Sequence, residues 1–206
     1  MLGQVRQIEE RSSVKEIAKE LTRLGKPILA LMESALIAKH SDLKTQMVNF
    51  LTATGVDLPL QLPLGVLRAA YDHRRADTLP ELALQSVHAS CSQQLAERLN
   101  KSARAKDDWS ITTSMCCSCK LCATLARYLR AADQKRLEWP LAKNARAHVH
   151  GILDLNDLPV THTTRRIGSP FTLVLEKTAA LFARDASERQ AWQNDAQWLS
   201  KTATAF

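Results

Sequence analysis

The clearest chemical feature of this sequence is a group of four cysteines within seven residues. Cys116, Cys117, Cys119 and Cys122 form this cluster, and histidines follow further along the chain. Thiolates this close cannot all form disulfides, because a disulfide needs a particular Cα separation and dihedral angle. They can all bind one soft cation, and zinc accepts histidine nitrogens beside sulfur. The second half of the chain is therefore predicted to be built around a zinc ion.

The spacing within the cluster indicates which thiolates bind the metal. The two residues between Cys119 and Cys122 allow both side chains to face one tetrahedral centre. We predict Cys117 as the third thiolate ligand, with Cys116 as the alternative to it. Three thiolates leave one position of a four-coordinate zinc for a histidine.

The geometry of a helix distinguishes the candidate histidines, because each residue turns by about 100°. On a predicted helix, His148 falls on the apolar face with Ile152, whereas His150 falls on the opposite, solvent-facing side. We therefore predict His148 as the fourth ligand. His162, on a predicted strand, is the alternative ligand and could equally be a hydrogen-bonded strand residue. Four protein ligands leave no position for water or substrate, so the predicted zinc is structural.

The first hundred residues are predicted to be helical, because hydrophobic residues recur at spacings of three or four. Gly25 and Pro27 are expected to separate the first helix from the second. The polar segment 100–108 predicts a domain boundary, so residues 1–100 would form a helical bundle or a fragment of an α-solenoid. The helices after the first are predicted over residues 28–40, 43–53, 64–71 and 79–99.

Residues 101–206 are predicted to form a small α+β domain that binds the zinc. Residues 160–166 and 171–175 alternate in hydrophobicity around a turn, which predicts a β-hairpin. Trp139 and Pro140 are expected to begin a helix that reaches about residue 155, since proline fits a first helical turn. A helix is also predicted from residue 123 to residue 130, and a long C-terminal helix covers residues 178–199. The predicted fold class is therefore mostly α.

The net charge of +7 belongs largely to the second half of the chain. Residues 1–100 carry 12 Lys or Arg against 11 Asp or Glu, whereas residues 101–206 carry 16 against 10. Such a basic region is compatible with phosphate groups or acidic proteins as partners. Aromatic residues for base stacking are scarce, which weakens the nucleic-acid interpretation. The residues that could contact phosphates are Lys101, Arg104, Lys106, Arg165 and Arg166.

The clustered cysteines also indicate the cellular compartment in which the protein is found. The sequence has no continuous apolar segment, which predicts neither a signal peptide nor a membrane span. Reduced cysteines without such a signal favour a cytoplasmic protein and a metal over a disulfide framework. Cys91 and His88 are close enough on a predicted helix to touch, but nothing supplies an oxyanion hole or an orienting acid. The sequence therefore contains no complete catalytic set.

Residues 107–200 also resemble a known module. The resemblance is carried by the Cys-x-Cys-x-x-Cys run at 117–122, by Arg146-Ala147-His148, and by the Arg-x-Gly-Ser-Pro turn at 166–170. This part of the chain resembles a Cys/His zinc-binding module at the C terminus of large bacterial and fungal proteins, often behind a 2-oxoglutarate/Fe(II) oxygenase-like domain. The resemblance implies a zinc site and a place beside an enzyme, and it implies no activity for the module itself. The iron site of the oxygenase is not in this sequence, because His150 and Asp154 have the wrong spacing for it.

Three functions follow from these observations, and we rank them. The first is a zinc-stabilised interaction or recruitment module with a protein partner, non-catalytic by itself. The second is a nucleic-acid-binding zinc-finger protein that uses the basic half of the chain. The third is an enzyme, which would need an open coordination position and a general base.

Overall fold

The computed structural model describes residues 14–53, 59–73, 80–113 and 117–206. The described residues divide between two compact units. The helical unit comprises Val14–Ser102 and Arg189–Phe206, and the Cys/His unit comprises Ala103–Glu188. The fold is mostly α with a small three-stranded antiparallel sheet, which confirms the predicted fold class. Within the described ranges, no helix has both the length and the apolar character needed to cross a bilayer.

The helical unit is organised around an apolar core. Met32, Leu67, Val87 and Leu95 are completely buried in it, because their helices present apolar residues toward one another at three- and four-residue spacings. Its helices are α1 (Val14–Arg23), α2 (Gly25–Ile37), α3 (Ser41–Thr52), α4 (Gln61–Asp72) and α5 (Leu84–Asn100).

The break expected at Gly25 and Pro27 is nearly absent, and helix α2 begins at Gly25 itself. Leu24, which joins α1 to α2, has helical backbone angles. Pro27 is accommodated in the first turn of α2, where no intrahelical hydrogen bond needs its missing N–H. Gly25 is required for a different reason, because a Cβ there would lie 2.2 Å from the carbonyl carbon of Gly65. The glycine therefore allows two backbones to approach each other.

The single helix predicted over residues 79–99 is interrupted at Ala83. A short 3-10 turn, Pro80–Leu82, precedes Ala83, whose φ of 55° is left-handed, and α5 starts at Leu84. Both Leu82 and Leu84 are buried. The turn between them allows both side chains to enter the core, which a continuous helix would not do for residues two apart.

In the described part of the Cys/His unit, the sheet, two complete helices and the first part of a third surround the unit's own apolar core. The strands lie in the order β1-β3-β2, and β3 pairs antiparallel with both neighbours. The predicted hairpin is β2 and β3. The elements are α6 (Lys120–Arg130), β1 (Arg136–Pro140), α7 (Lys143–Leu155), β2 (Val160–Arg165) and β3 (Thr172–Lys177), and α8 (Ala180–Thr202) follows.

The prediction that Trp139 and Pro140 begin a helix is wrong. Both residues belong to strand β1, and α7 starts at Lys143. Leu137 and Trp139 are half-buried between exposed neighbours, which is the alternation of a strand with one covered face. Pro140 is tolerated because β1 lies at the edge of the sheet, where proline removes no central ladder bond.

The last part of helix α8 belongs to the helical unit. Residues from Arg189 onward group with the helical unit. Leu199 is buried in the core of that unit, and the guanidinium of Arg189 donates to the carbonyl oxygens of Leu99 and Lys101. The helical unit is therefore formed by two separate stretches of the chain.

A buried lysine fixes the end of α6. The side chain of Lys177 is completely buried, and its Nζ donates to the carbonyl oxygens of Leu129, at 3.0 Å, and Ala131, at 2.7 Å. The same nitrogen lies 4.7 Å from the ring centroid of Tyr128. The last carbonyls of a helix lack intrahelical partners and attract a cation. The sheet thus holds the C-terminal end of the helix whose N-terminal end carries the cysteines.

Candidate metal centre

Four metal-ligating side chains meet in the Cys/His unit. The Sγ atoms of Cys117, Cys119 and Cys122 and a ring nitrogen of His148 all lie within 4.8 Å of one another. The structure therefore brings together the four residues preferred from the sequence. They form a group that could hold one metal ion.

Helix α6 positions the thiols through its first turn. Cys119 is the residue that precedes the helix, and its extended backbone lets Sγ accept a hydrogen bond from the Cys122 N–H at 3.4 Å. Cys122 lies in the first turn and is 1% exposed, because it packs against the core of the unit. Cys117 precedes both, and its Sγ lies 3.4 Å from that of Cys119 and 2.9 Å from that of Cys122. The unpaired N–H groups and the dipole at a helix start favour thiolates there.

Helix α7 supplies the fourth donor. His148 Nε2 lies 3.3 Å from the Sγ of Cys122, 3.4 Å from that of Cys119 and 3.7 Å from that of Cys117. The predicted orientation was wrong, since His148 is exposed and the buried face of the helix consists of Val149, Ile152 and Leu153. His148 lies at the edge of this buried face, and the three cysteines lie beside that edge.

The separations suit a tetrahedral ion. Metal–sulfur bonds of about 2.3 Å and metal–nitrogen bonds of about 2.0 Å imply sulfur–nitrogen separations of roughly 3.5 Å and sulfur–sulfur separations of roughly 3.8 Å. The three measured sulfur–nitrogen distances, 3.3, 3.4 and 3.7 Å, bracket the first value. The sulfur–sulfur distances of 2.9 and 3.4 Å are somewhat shorter than the second, yet far too long for a disulfide bond of about 2.05 Å. The thiols are free, and the donor set fits one ion at its centre.

The thiols also influence one another's ionisation. A hydrogen bond from the Cys122 N–H, followed by one from Cys117, lowers the pKa of Cys119 to about 6. Burial, followed by the neighbouring thiols, raises the pKa of Cys122 to about 12. Like charges this close cannot all form without a counter-charge. A bound cation would supply that charge and let all three thiolates coexist.

The two alternative ligands have different outcomes. Cys116 lies outside the described residues. His162 does not join the cysteines, because its Nδ1 lies 2.6 Å from His150 Nδ1 and its Nε2 lies 3.1 Å from Asp154 Oδ1. His150 was predicted to face solvent, and it is instead half-buried against His162. Burial, followed by repulsion from His162, lowers the pKa of His150.

Two of the candidate phosphate-binding residues are engaged within the protein. Arg104 is largely buried, forms an ion pair with Asp185 and donates to the carbonyl oxygen of Ser110 at 2.6 Å. Arg165 forms a two-pronged ion pair with Glu138, at 2.6 and 3.1 Å. The remaining three, Lys101, Lys106 and Arg166, are exposed.

Sequence reasoning missed the pairing of His150 with His162. The signal that could have found it is the one-turn spacing of His150 and Asp154 on a helix, which places both side chains on the same face. The partner on β2 could not be found from spacing, because the approach of strand and helix is a tertiary contact.

Compared with known proteins, the chain matches no family model, no curated protein and no solved structure. The arguments for its function therefore rest on its own residues. The resemblance of residues 107–200 to the oxygenase-associated module stays a prediction.

Proposed function

We propose that Cys117, Cys119, Cys122 and His148 bind one zinc ion, and that the protein is a zinc-stabilised interaction or recruitment module without catalytic activity of its own. The observation that carries this proposal is the convergence of four donors within 4.8 Å. Three thiolates with one imidazole form a donor set typical of structural zinc. Softer sulfur ligands also disfavour magnesium and calcium, which prefer oxygen.

A structural role follows from the number of ligands. Four protein donors complete a tetrahedral zinc, so no coordination position remains for a water molecule or a substrate. Cys122 lies in the first turn of α6 and Cys119 directly precedes that helix, whereas His148 belongs to α7. The ion would therefore connect two helices that are separated along the chain. Its function would be to hold the Cys/His unit together rather than to activate a nucleophile.

The surface of the Cys/His unit supports an interaction role. The loop between β2 and β3 exposes Ile167, which is 75% exposed, next to the exposed Arg166. Phe171, at the far end of this loop, is 37% exposed, and the guanidinium of Arg146 lies over its ring. An exposed apolar side chain beside a cation is the composition of a protein-contacting surface. The resemblance to a module appended to oxygenase-like proteins supports a partner that is itself an enzyme.

Nucleic-acid binding is the weaker proposal. Binding to phosphates needs free cations, and Arg104 and Arg165 are already paired with carboxylates. A titration with duplex and single-stranded DNA at increasing salt separates the two proposals. We expect no DNA binding whose affinity falls steeply as the salt concentration rises. Such salt-dependent binding by the wild type, if it is lost in Lys106→Ala and Arg166→Ala, would favour the nucleic-acid proposal.

The interaction proposal is tested by quantitative affinity capture from a cell extract with three forms of the protein. These are the wild type, Ile167→Ser and the control His40→Ala, which removes an exposed side chain in the helical unit. We expect Ile167→Ser to lose a partner that the other two forms retain, while all three retain their metal. Identical partners for all three forms would contradict a role for this loop. Turnover of a substrate by the isolated protein would contradict the non-catalytic proposal.

A further inference from the structure

A second pair of imidazoles lies in the Cys/His unit, separate from the four donors described above. His150 Nδ1 and His162 Nδ1 are 2.6 Å apart, and the two ring centroids are separated by 4.8 Å. Two nitrogen lone pairs at this distance repel each other unless a proton or a metal ion lies between them. A hydrogen bond between the two Nδ1 atoms places one proton there, and a metal ion bound to both nitrogens would replace that proton.

The outer nitrogens of both rings already have polar neighbours. The Asp154 carboxylate lies 3.1 Å from His162 Nε2, so this nitrogen carries a proton and its N–H donates a hydrogen bond to Asp154. In a neutral imidazole the other nitrogen then carries a lone pair, and Nδ1 of His162 is directed at His150. Thr164 Oγ1 lies 3.5 Å from His150 Nε2. Histidines that bind metals are commonly oriented in this way, with the second ring nitrogen held by a carboxylate or another polar group.

The fold builds this arrangement from two elements. His150 and Asp154 are one turn apart on α7 and therefore share a face of the helix. His162 and Thr164 are two apart on β2 and share a face of the strand. The pair is accessible, since the side chain of His162 is 23% exposed and that of Asp154 is 67% exposed.

We propose that His150 and His162 bind one exchangeable divalent transition-metal ion through their Nδ1 atoms. Imidazole ligands suit Zn²⁺, Ni²⁺ and Cu²⁺. Metal–nitrogen bonds of about 2.0 Å need the two nitrogens to be roughly 3.3 Å apart, so the rings open by about 0.7 Å when the ion enters. Asp154 is a positioning residue that holds the tautomer of His162. Two protein ligands leave open coordination positions, which distinguishes this site from the closed three-cysteine site and makes its ion exchangeable.

The test is a calorimetric titration of Ni²⁺ into the full chain as purified, in a buffer that does not chelate metals. We expect one equivalent of Ni²⁺ to bind to the wild type. Binding should be at least 10-fold weaker in His150→Ala and in His162→Ala, and about 10-fold weaker in Asp154→Asn. His40→Ala, which removes an exposed histidine outside the pair, is the matched control and should bind Ni²⁺ as the wild type does.

Several results would contradict a second metal site. Absence of Ni²⁺ binding to the wild type, or unchanged binding in His162→Ala, overturns the proposal. Asp154→Asn keeps the test valid if a histidine variant fails to fold, because that side chain is largely exposed. Co²⁺ provides an independent readout, since a nitrogen-only site lacks the thiolate-to-cobalt charge-transfer absorption of the cysteine site. If that absorption accounts for all bound Co²⁺, the second site does not exist.

Discussion

The two units of this protein are stabilised by different means. In the helical unit, completely buried apolar side chains such as Met32 and Leu67 fill the core, and two glycines let backbones approach. In the Cys/His unit, polar groups connect separate parts of the chain, through the four metal donors and through Lys177. One unit therefore depends on apolar packing, whereas the other has polar cross-connections, to which the proposed metal would add one that a chelator can remove.

Removal of the proposed metal should have the largest effect on stability, and it should affect the Cys/His unit but not the helical unit. A structural zinc contributes on the order of 10 kcal/mol of apparent folding free energy, and a chelator withdraws it. We expect a chelator under reducing conditions to accelerate amide hydrogen exchange in Lys120–Arg130 and Lys143–Leu155. Amide exchange in Gln61–Asp72 and Leu84–Asn100 serves as the internal control and should stay slow. It is measured on peptides from the same digest.

Two outcomes would contradict this difference between the units. Unchanged protection in both helices of the Cys/His unit would mean that the metal contributes nothing to its stability. Equal loss of protection in all four helices would mean that the two units do not differ in their dependence on metal.

Substitution of Gly65 should have the next largest effect and tests the packing side of the comparison. A Cβ on Gly65 would lie 2.7 Å from the carbonyl oxygen of Thr22, so backbone must move. We expect Gly65→Ala to lower the free energy of unfolding by about 3 kcal/mol, measured by chemical denaturation. Gly151→Ala is the matched control, because a Cβ there meets nothing within 4 Å in helix α7. Alanine should stabilise that helix by up to about 1 kcal/mol. Equal effects of the two substitutions would refute the close approach.

Substitution of Lys177 tests the cross-connections without the metal. Lys177→Met retains most of the apolar stem but removes both hydrogen bonds to the end of α6. We expect the free energy of unfolding to fall by about 2 kcal/mol, because the Ala131 carbonyl loses the lysine donor and the Leu129 carbonyl retains only the Ile111 N–H. Lys143→Met, at an exposed position that begins α7, is the control and should change stability by less than about 0.5 kcal/mol. A stability of Lys177→Met equal to that of the control would show that the buried lysine connects nothing of consequence.

The same lysine predicts a smaller, pH-dependent effect. Burial lowers the pKa of Lys177 from its ordinary value of 10.5 to about 8, although the nearby charge of Asp108 acts to raise this pKa. Between these values the unfolded chain binds more protons than the folded one, so unfolding free energy rises with pH. We expect the stability of the wild type relative to Lys177→Met to rise by at most about 1.4 kcal/mol per pH unit from pH 8 to pH 10. A pH-independent difference would contradict the lowered pKa.

The sequence predicted the residues of the metal group better than their setting. The spacing of Cys119 and Cys122 is a local property, since a helix start places both thiols on one side. The helical pattern predicts His148 on the apolar face, whereas the structure exposes it. The cysteines lie against that helix at the edge of its apolar face. This is a tertiary contact, and hydrophobic periodicity along the sequence cannot predict it.

The errors in the fold have the same origin. Trp139 and Pro140 fit a helix start by local preference, but pairing with β3 makes them the end of an edge strand. Leu199 continues the pattern of one long helix, and nothing local indicates that it belongs to the core of the other unit. Hairpin and helices with strong local patterns were predicted correctly, whereas features decided by long-range packing were not.

The closed zinc site is tested by the metal content of the protein purified without added metal and dialysed to remove exchangeable ions. The forms compared are the wild type, Cys119→Ser, His148→Ala and the control His40→Ala. We predict about one zinc per chain in the wild type and in the control. The zinc should be lost in the other two variants. Zinc that survives in His148→Ala, or a wild type without zinc, would contradict the closed site of three cysteines and one histidine.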